Sequence, residues 1–260
     1  MNRNFSLPLL LLLFLSLLSP GPSPAQEAAL SAKDLAARLS AGIRDGSSLV
    51  RLKLESGNGA VLQLQVKSRR DAGGTHVLYQ ILWPKDRKGE GFVLRQNGNR
   101  APEGNTFVLP GTLNAVTADG MDQAVFGTDL CYADLVENFF AWSQQSVTGQ
   151  ETVDRVACTI LESKPGGSDR SVYGMVRSWI DPKRMVPLRV EKFNKSGQLV
   201  RRITTTKVAK DDTRNHVAAS FTVQRAGQTT LTNLEGSNSR HDVSYQESDF
   251  APEALRSLGK

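Results

Sequence analysis

Period-two alternation of apolar and polar residues, recurring from residue 48 to residue 246, constrains this chain more than any other feature. In SLVRLKLES, Val50, Leu52 and Leu54 face one way while Arg51, Lys53 and Glu55 face the other. Such a pattern gives a strand with one buried face and cannot place its apolar residues on one side of a helix. Ser56-Gly57-Asn58-Gly59 turns the chain, and AVLQLQVKS repeats the alternation with Leu62, Leu64 and Val66. THVLYQILW, GFVLRQN and NTFVLP continue it, the last two across an Asn97-Gly98 turn. SVTGQETVD, RVACTILESK, VYGMVRSWID, VPLRVEKFN, QLVRRITTTKVA, HVAASFTVQR, TTLTNLEG and RHDVSYQ follow at short intervals, with a hairpin turn at Lys195-Ser196-Gly197. The pattern predicts a mainly β (α+β) protein with an antiparallel meander of about eleven strands, one face wet and one buried.

Three helices are expected around the strands. Ser31 is an N-cap residue with Asp34 three positions on, Leu30 and Leu35 occupy staple positions, Leu35, Leu39 and Ile43 share a face, and Gly46 ends the helix. In the middle, Leu113 to Trp142 carries a helical pattern, with Leu135, Phe139 and Trp142 at i, i+4 and i+7, widened by Val136 and Phe140. Thr128 or Asp129 is placed to cap its start. A short helix from Pro252 to Leu258 closes the chain.

The first residues set the compartment. Arg3 precedes a nearly unbroken apolar run, Leu7 to Leu18, the size of a signal-peptide core and short for a membrane span. Pro20, Gly21 and Pro22 break any helix after it, and Ser23-Pro24-Ala25 offers small residues for cleavage after Ala25. Residues 1–25 are thus expected to be a cleaved signal peptide and residues 26–260 a single domain. No cysteine follows the apolar run to carry a lipoprotein anchor, so the expected location is the periplasm.

Export bears on the two cysteines. Cys131 and Cys158 form an even pair in an oxidising compartment, so a structural disulfide between them is expected. It would close a loop of 158 − 131 = 27 positions, worth roughly 3–4 kcal/mol in the chain-entropy model. Neither cysteine has a histidine near it in sequence to act as a base, nor enough ligands at short spacing for a metal.

Enzyme signatures are missing as well. His76, His216 and His241 lie far apart, each within an expected strand, and the chain has no Gly-x-Ser-x-Gly elbow or His-Glu-x-x-His motif. The glycines of SKPGGSDR, and Asp181, Asp211 and Asp212, belong to turns, so no catalytic residue, cofactor or metal is expected. The net charge of +6 suits attraction to an anionic lipid surface or an acidic partner, or simply a soluble surface. Its basic residues alternate with acids and β-branched residues, as in VRRITTTK, which argues against nucleic acid.

One stretch resembles a known family. FGTDLCYADL, then a paired strand ending LESKPGG, then SWIDPKRMVPLRVEKFNKSGQLVRRI, is similar to the outer-membrane lipoprotein-sorting proteins of the periplasmic LolA/LolB-like superfamily. Gly127 and Asp129 match the start of that family's Gly-x-Asp-Phe-Ser motif, and Asp134-Leu135 a following Asp-Leu pair. Trp179-Ile180-Asp181, Pro187-Leu188-Arg189 and Gly197 match a strand end, the next strand's start and its hairpin glycine. The chain departs from the pattern at Leu130-Cys131, where the family has Phe-Ser, and at Cys158. The resemblance implies a strongly curved, incompletely closed antiparallel half-barrel over an N-terminal helix and a mid-chain helical lid, with an apolar cavity between. It implies a monomeric, non-enzymatic carrier or sorting factor that takes a lipid or acylated lipoprotein from a membrane-associated donor to an acceptor protein. The alternative it leaves is a sensor or adaptor that regulates envelope processes by binding proteins. Leu52, Leu64, Leu135, Phe139, Phe140 and Trp142 are the candidate cavity residues, although core packing would use the same residue types.

Overall fold

The β-strands pair into one antiparallel sheet whose two ends of chain meet in its middle. In the computed structural model, which describes residues 30–257 apart from 43–45, 72, 99 and 110, the first six strands are β1 (Gly46–Glu55), β2 (Val61–Asp71), β3 (Gly74–Trp83), β4 (Gly91–Gln96), β5 (Glu103–Val108) and β6 (Thr112–Val116). Seven more follow a long interruption: β7 (Gln144–Val153), β8 (Val156–Lys164), β9 (Tyr173–Asp181), β10 (Val186–Asn194), β11 (Leu199–Lys210), β12 (His216–Arg225) and β13 (Thr232–Arg240). The order β6-β5-β4-β3-β2-β1-β13-β12-β11-β10-β9-β8-β7 shows two meanders fused by an antiparallel β1–β13 pair. The described residues therefore hold thirteen strands rather than about eleven. Residues 113–116, expected within a helix, belong to the strand Thr112–Val116, while residues 241–246, expected as a strand after Arg240, are not one. The expected signal peptide, residues 1–25, lies outside the described residues.

Register confirms the alternation. Val50, Leu52 and Leu54 of β1 stand opposite Val66, Leu64 and Leu62 of β2, so the apolar sets share one face. That face curls. Val77, Phe92 and Leu94 from β3 and β4 share a core with Tyr173, Val176 and Val190 from β9 and β10, strands far away in the sheet order. A flat sheet could not bring them together; twist and the register shifts in β9, β10 and β11 bend it. The sheet does not close, because β6 and β7 remain its two edges.

Residues 117–143 run from one edge to the other across the concave face. This strap is where the long helix was expected. It contains only a helix of five residues, α2 (Tyr132–Val136), and isolated single turns at Ala118–Gly120 and Phe139–Ala141. Met121, Val125, Cys131, Ala133 and Val136 of the strap fill the space between the two walls. An apolar stripe clasped on both sides is already buried and gains little from a continuous helix.

The other helices cover what the strap does not. The N-terminal helix, α1 (Ala32–Gly42), is capped by Ser31, whose Oγ accepts the Asp34 N–H at 3.1 Å. It ends at Gly42 instead of Gly46, which begins β1 with a φ of +110°. Leu35 and Leu39 pack on Phe140, Leu161 and Ile180; Ile43 lies outside the described residues. The C-terminal helix (Pro252–Ser257) and the turn before it cover the outer face of β3 to β5, where Phe250 and Leu255 bury Leu78, Val93 and Phe107. This second covered face explains why HVLYQILW reads as almost continuously apolar.

Candidate functional site

The strap is held by a buried group of charges. Asp134 lies one turn into α2 and its carboxylate reaches back to accept the Cys131 N–H at 2.8 Å. The same carboxylate receives Lys192 Nζ at 2.7 Å, Arg201 Nε at 3.2 Å and the Tyr173 hydroxyl at 2.6 Å. The Asp134 side chain is 0 % exposed, that of Lys192 2 % and that of Arg201 7 %. Arg201 Nε also donates to the Asp129 carbonyl, and its Nη1 to Tyr173 Oη. Asp129 is pinned in turn by the Thr232 hydroxyl at 2.8 Å. Thus β9, β10, β11 and β13 all grip the strap.

Burial alone would raise the Asp134 pKa, but Lys192 and Arg201 outweigh it and hold the group at about 2. Burial and the neighbouring Asp134 push the Tyr173 hydroxyl far up, so it stays a donor. At Glu137 burial dominates, although Lys192 also draws its pKa down. Its Oε2 accepts the Ser171 hydroxyl at 2.6 Å, its Oε1 is buried without a hydrogen-bond partner among the described residues, and burial lifts its pKa to about 7. These groups fill the concave interior with fixed charge. Thr128 and Asp129, expected to cap the helix, instead build the turn before it.

Open space lies outside the strap, along the N-terminal helix. A groove of about 800 Å³ is lined by Ala36, Ala37 and Ala41 on one side and Phe140, Ala141 and Trp142 on the other, with Lys33 and Arg70 at its rim. Gln145 braces the wall: its Nε2 donates to the carbonyls of Phe139, Phe140 and Trp142, and its Oε1 accepts the Ser163 hydroxyl.

Of the six candidate cavity residues, the groove brings together Phe140 and Trp142. Phe139 packs inward beneath Lys192, whose Nζ is 5.5 Å from the ring centroid. Leu64 is buried in the core of Leu54, Leu62 and Ile81, against which Leu52 and Leu135 also pack. The groove's alanines, Lys33 and Arg70 were not singled out in the sequence; small helix residues and scattered cations carry no local mark.

The expected Cys131–Cys158 disulfide is corrected: both cysteines are free and buried. Cys131 lies in the concave core, where its Sγ is 3.2 Å from Tyr173 Oη. Cys158 packs with Trp179 and Leu188 on the outer side, since Ile160 and Trp179 pair on the face opposite Leu161 and Ile180. The sheet itself separates the two sulfurs, and a disulfide needs Cα atoms within about 7 Å. Burial raises the pKa of both thiols, which makes them poor nucleophiles.

The histidines stay apart. His76 packs near Phe250, with burial and Arg69 lowering its pKa. His241 Nδ1 pairs with Asp212, whose neighbour Asp211 organises a turn by accepting from the Thr213 and Asn215 amides.

Comparison with known proteins places this architecture. A family model described as "Uncharacterized protein" matches residues 73–257, more than half of the chain. No curated protein matches. Among solved structures, a DUF1329 family protein from Desulfovibrio piger superposes with a TM-score of 0.78 at 18% identity, covering 86% of this chain and 97% of that one. A putative outer membrane lipoprotein-sorting protein domain from Vibrio parahaemolyticus gives 0.77 at 19% identity, over 86% of this chain and 98% of its own. A LolA superfamily protein from Nitrosomonas europaea gives 0.66 at 16% identity, over 87% and 100%.

Proposed function

Because the chain belongs to the DUF1329-like family and carries the LolA-type fold, we propose that it is a periplasmic, non-enzymatic protein that binds a lipid or an acylated ligand. The observation that carries this is the groove of about 800 Å³ between the N-terminal helix and Phe140–Trp142, a size within the roughly 300–1,000 Å³ of ordinary ligand sites. Ala36, Ala37, Ala41, Phe140 and Trp142 offer methyl and aromatic surface that an acyl chain covers without directional bonds, beside the polar Ser40, Ser143 and Gln145. The seat is therefore beside the strap, not in a wide cavity beneath it, since charges and strap side chains occupy the concave face. Passing the ligand to an acceptor would rest on the acceptor's higher affinity.

The test is a chain-length series. Each fully buried methylene contributes about 0.8 kcal/mol, or about fourfold in affinity; a groove open on one side should realise about half of that free energy, roughly twofold per carbon. Titration of C10 to C16 single-chain lipids, followed through Trp142 fluorescence, should show that slope, and Ala37→Trp should abolish it. Affinity independent of chain length, or unaffected by Ala37→Trp, would overturn the proposal, as would native mass spectra of periplasmic protein showing a stable protein partner and no lipid.

A further inference from the structure

The hairpin between β11 and β12 carries two adjacent acids, Asp211 and Asp212, and the chain returns to it at His241, just past the end of β13. The sheet brings them together. β12 pairs with β11 on one side and β13 on the other, so the start of β12 lies beside both the hairpin and the end of β13. One donor atom from each of Asp211, Asp212 and His241 lies within 4.8 Å of the other two. An imidazole nitrogen and two carboxylates thus meet from two segments 29 positions apart, away from the strap and the groove.

The carboxylates are held in place. Asp211 Oδ1 accepts from the Thr213 amide at 2.9 Å, the Thr213 hydroxyl at 2.7 Å and the Asn215 amide at 2.9 Å, which fixes the side chain on the turn. Asp212 Oδ2 accepts the His241 amide at 2.8 Å, and Asp212 Oδ1 meets His241 Nδ1 at 2.5 Å. Among the described residues no lysine or arginine forms an ion pair with either acid; Arg240, next to His241, pairs with Asp242 instead, at 3.1 Å. Two carboxylates this close repel one another, and a shared cation removes that cost.

We propose that Asp211, Asp212 and His241 bind a first-row divalent transition ion, with zinc the best match. Imidazole nitrogen with carboxylate oxygen is a zinc donor set, whereas calcium and magnesium select shells of oxygen. Zinc bonded at about 2.1 Å to each donor sets them about 3.4 Å apart, a contraction that rotation of these surface side chains supplies. Neutral His241 then carries its proton on Nε2 and offers Nδ1 to the metal, and water completes the tetrahedron. The ion acts as a staple. His241 opens the segment that leads to Tyr245 and Phe250, which packs on the outer face of β3 to β5, so zinc ties the root of that cover to the hairpin.

The experiment is calorimetry of untagged, EDTA-treated protein with Zn²⁺ and with Ca²⁺ as separate titrants at neutral pH, together with melting temperatures with and without zinc. One Zn²⁺ should bind per chain, at least tenfold more tightly than Ca²⁺. Zinc at a hundred times its dissociation constant should raise the melting temperature by about 5–11 °C. His241→Ala and Asp212→Asn should each weaken zinc binding at least tenfold, with an unchanged metal-free melting temperature showing an intact fold. Should His241→Ala melt lower without metal, Asp212→Asn carries the test, because its amide oxygen still accepts the His241 N–H. Zinc binding that survives in the double variant would place the ion elsewhere and overturn the assignment. Equal affinity for Zn²⁺ and Ca²⁺ would reduce the cluster to general attraction of cations by carboxylates, and no zinc uptake would overturn the site outright.

Discussion

Replacing Asp134 by Asn tests the clasp that holds the strap. The substitution keeps shape and volume but leaves the Lys192 ammonium and the Arg201 guanidinium buried without their shared anion. Breaking a buried pair from one side costs about 3–5 kcal/mol, because the remaining charge is desolvated and uncompensated. With a shift of about 2–4 °C per kcal/mol for a domain of this size, the melting temperature should fall by about 6–20 °C. Lys192→Met should cost less, since Asp134 keeps Arg201 at 3.2 Å. The double variant should be milder than the sum of the two singles, by about 1 kcal/mol or more, because the residues share one cluster. Urea unfolding followed by Trp142 and Trp179, both buried, reads these differences. Protonation is a gentler version of the same perturbation. The folded pKa of Asp134 is depressed from 3.8 to about 2, so its stabilisation is present above pH 3.8 and is lost as pH falls through about 2. Its size is about 1.8 × 1.36, or about 2 kcal/mol. An Asp134→Asn protein within about 1 kcal/mol of wild type, or strict additivity with Lys192→Met, would refute the clasp.

Glu137 has the opposite sign. Its folded pKa is raised from 4.5 to about 7, so the folded state holds the proton longer and stability should fall by about 3 kcal/mol as pH rises from 4.5 to 7. Glu137→Gln should flatten that decline in urea titrations from pH 5 to 8; an unchanged slope would contradict it. Both thiols are free, so denatured protein alkylated without reductant should gain two adducts by intact mass, whereas native protein should react slowly at both buried sites. A species with no adducts would restore the cross-link.

The strands were legible because their signal is local. Period two follows from the geometry of an extended backbone, and burial of one face then sorts Leu52, Leu54, Leu62 and Leu64 without reference to distant residues. The Ser31 cap and the Gly197 turn, with φ of +76°, are local as well. The strap was misread for a physical reason. Leu135, Phe139 and Trp142 have helical spacing and pack towards one core, yet the backbone between them leaves the helix after Val136 and reaches that core through a separate single turn. In VRRITTTK, Arg201 and Arg202 look alike, but alternation sends Arg202 outward to Glu191 at 2.9 Å and Arg201 inward to Asp134. The cysteine pair was judged from its compartment, and which side of the sheet each sulfur occupies is not written in their spacing.

The sequence by itself determined the kind of surface each segment must make: apolar-sided strands, a capped first helix and turns where glycine and asparagine permit them. Only the tertiary structure decided that β1 meets β13, that the sheet curls round residues 117–143, and that Asp134, Lys192 and Arg201 converge there. Backbone geometry repeats every two or four residues and is readable at that range. The meeting of residues 58 and 67 positions apart is set by how thirteen strands bend together, a property of the whole sheet that no single segment carries.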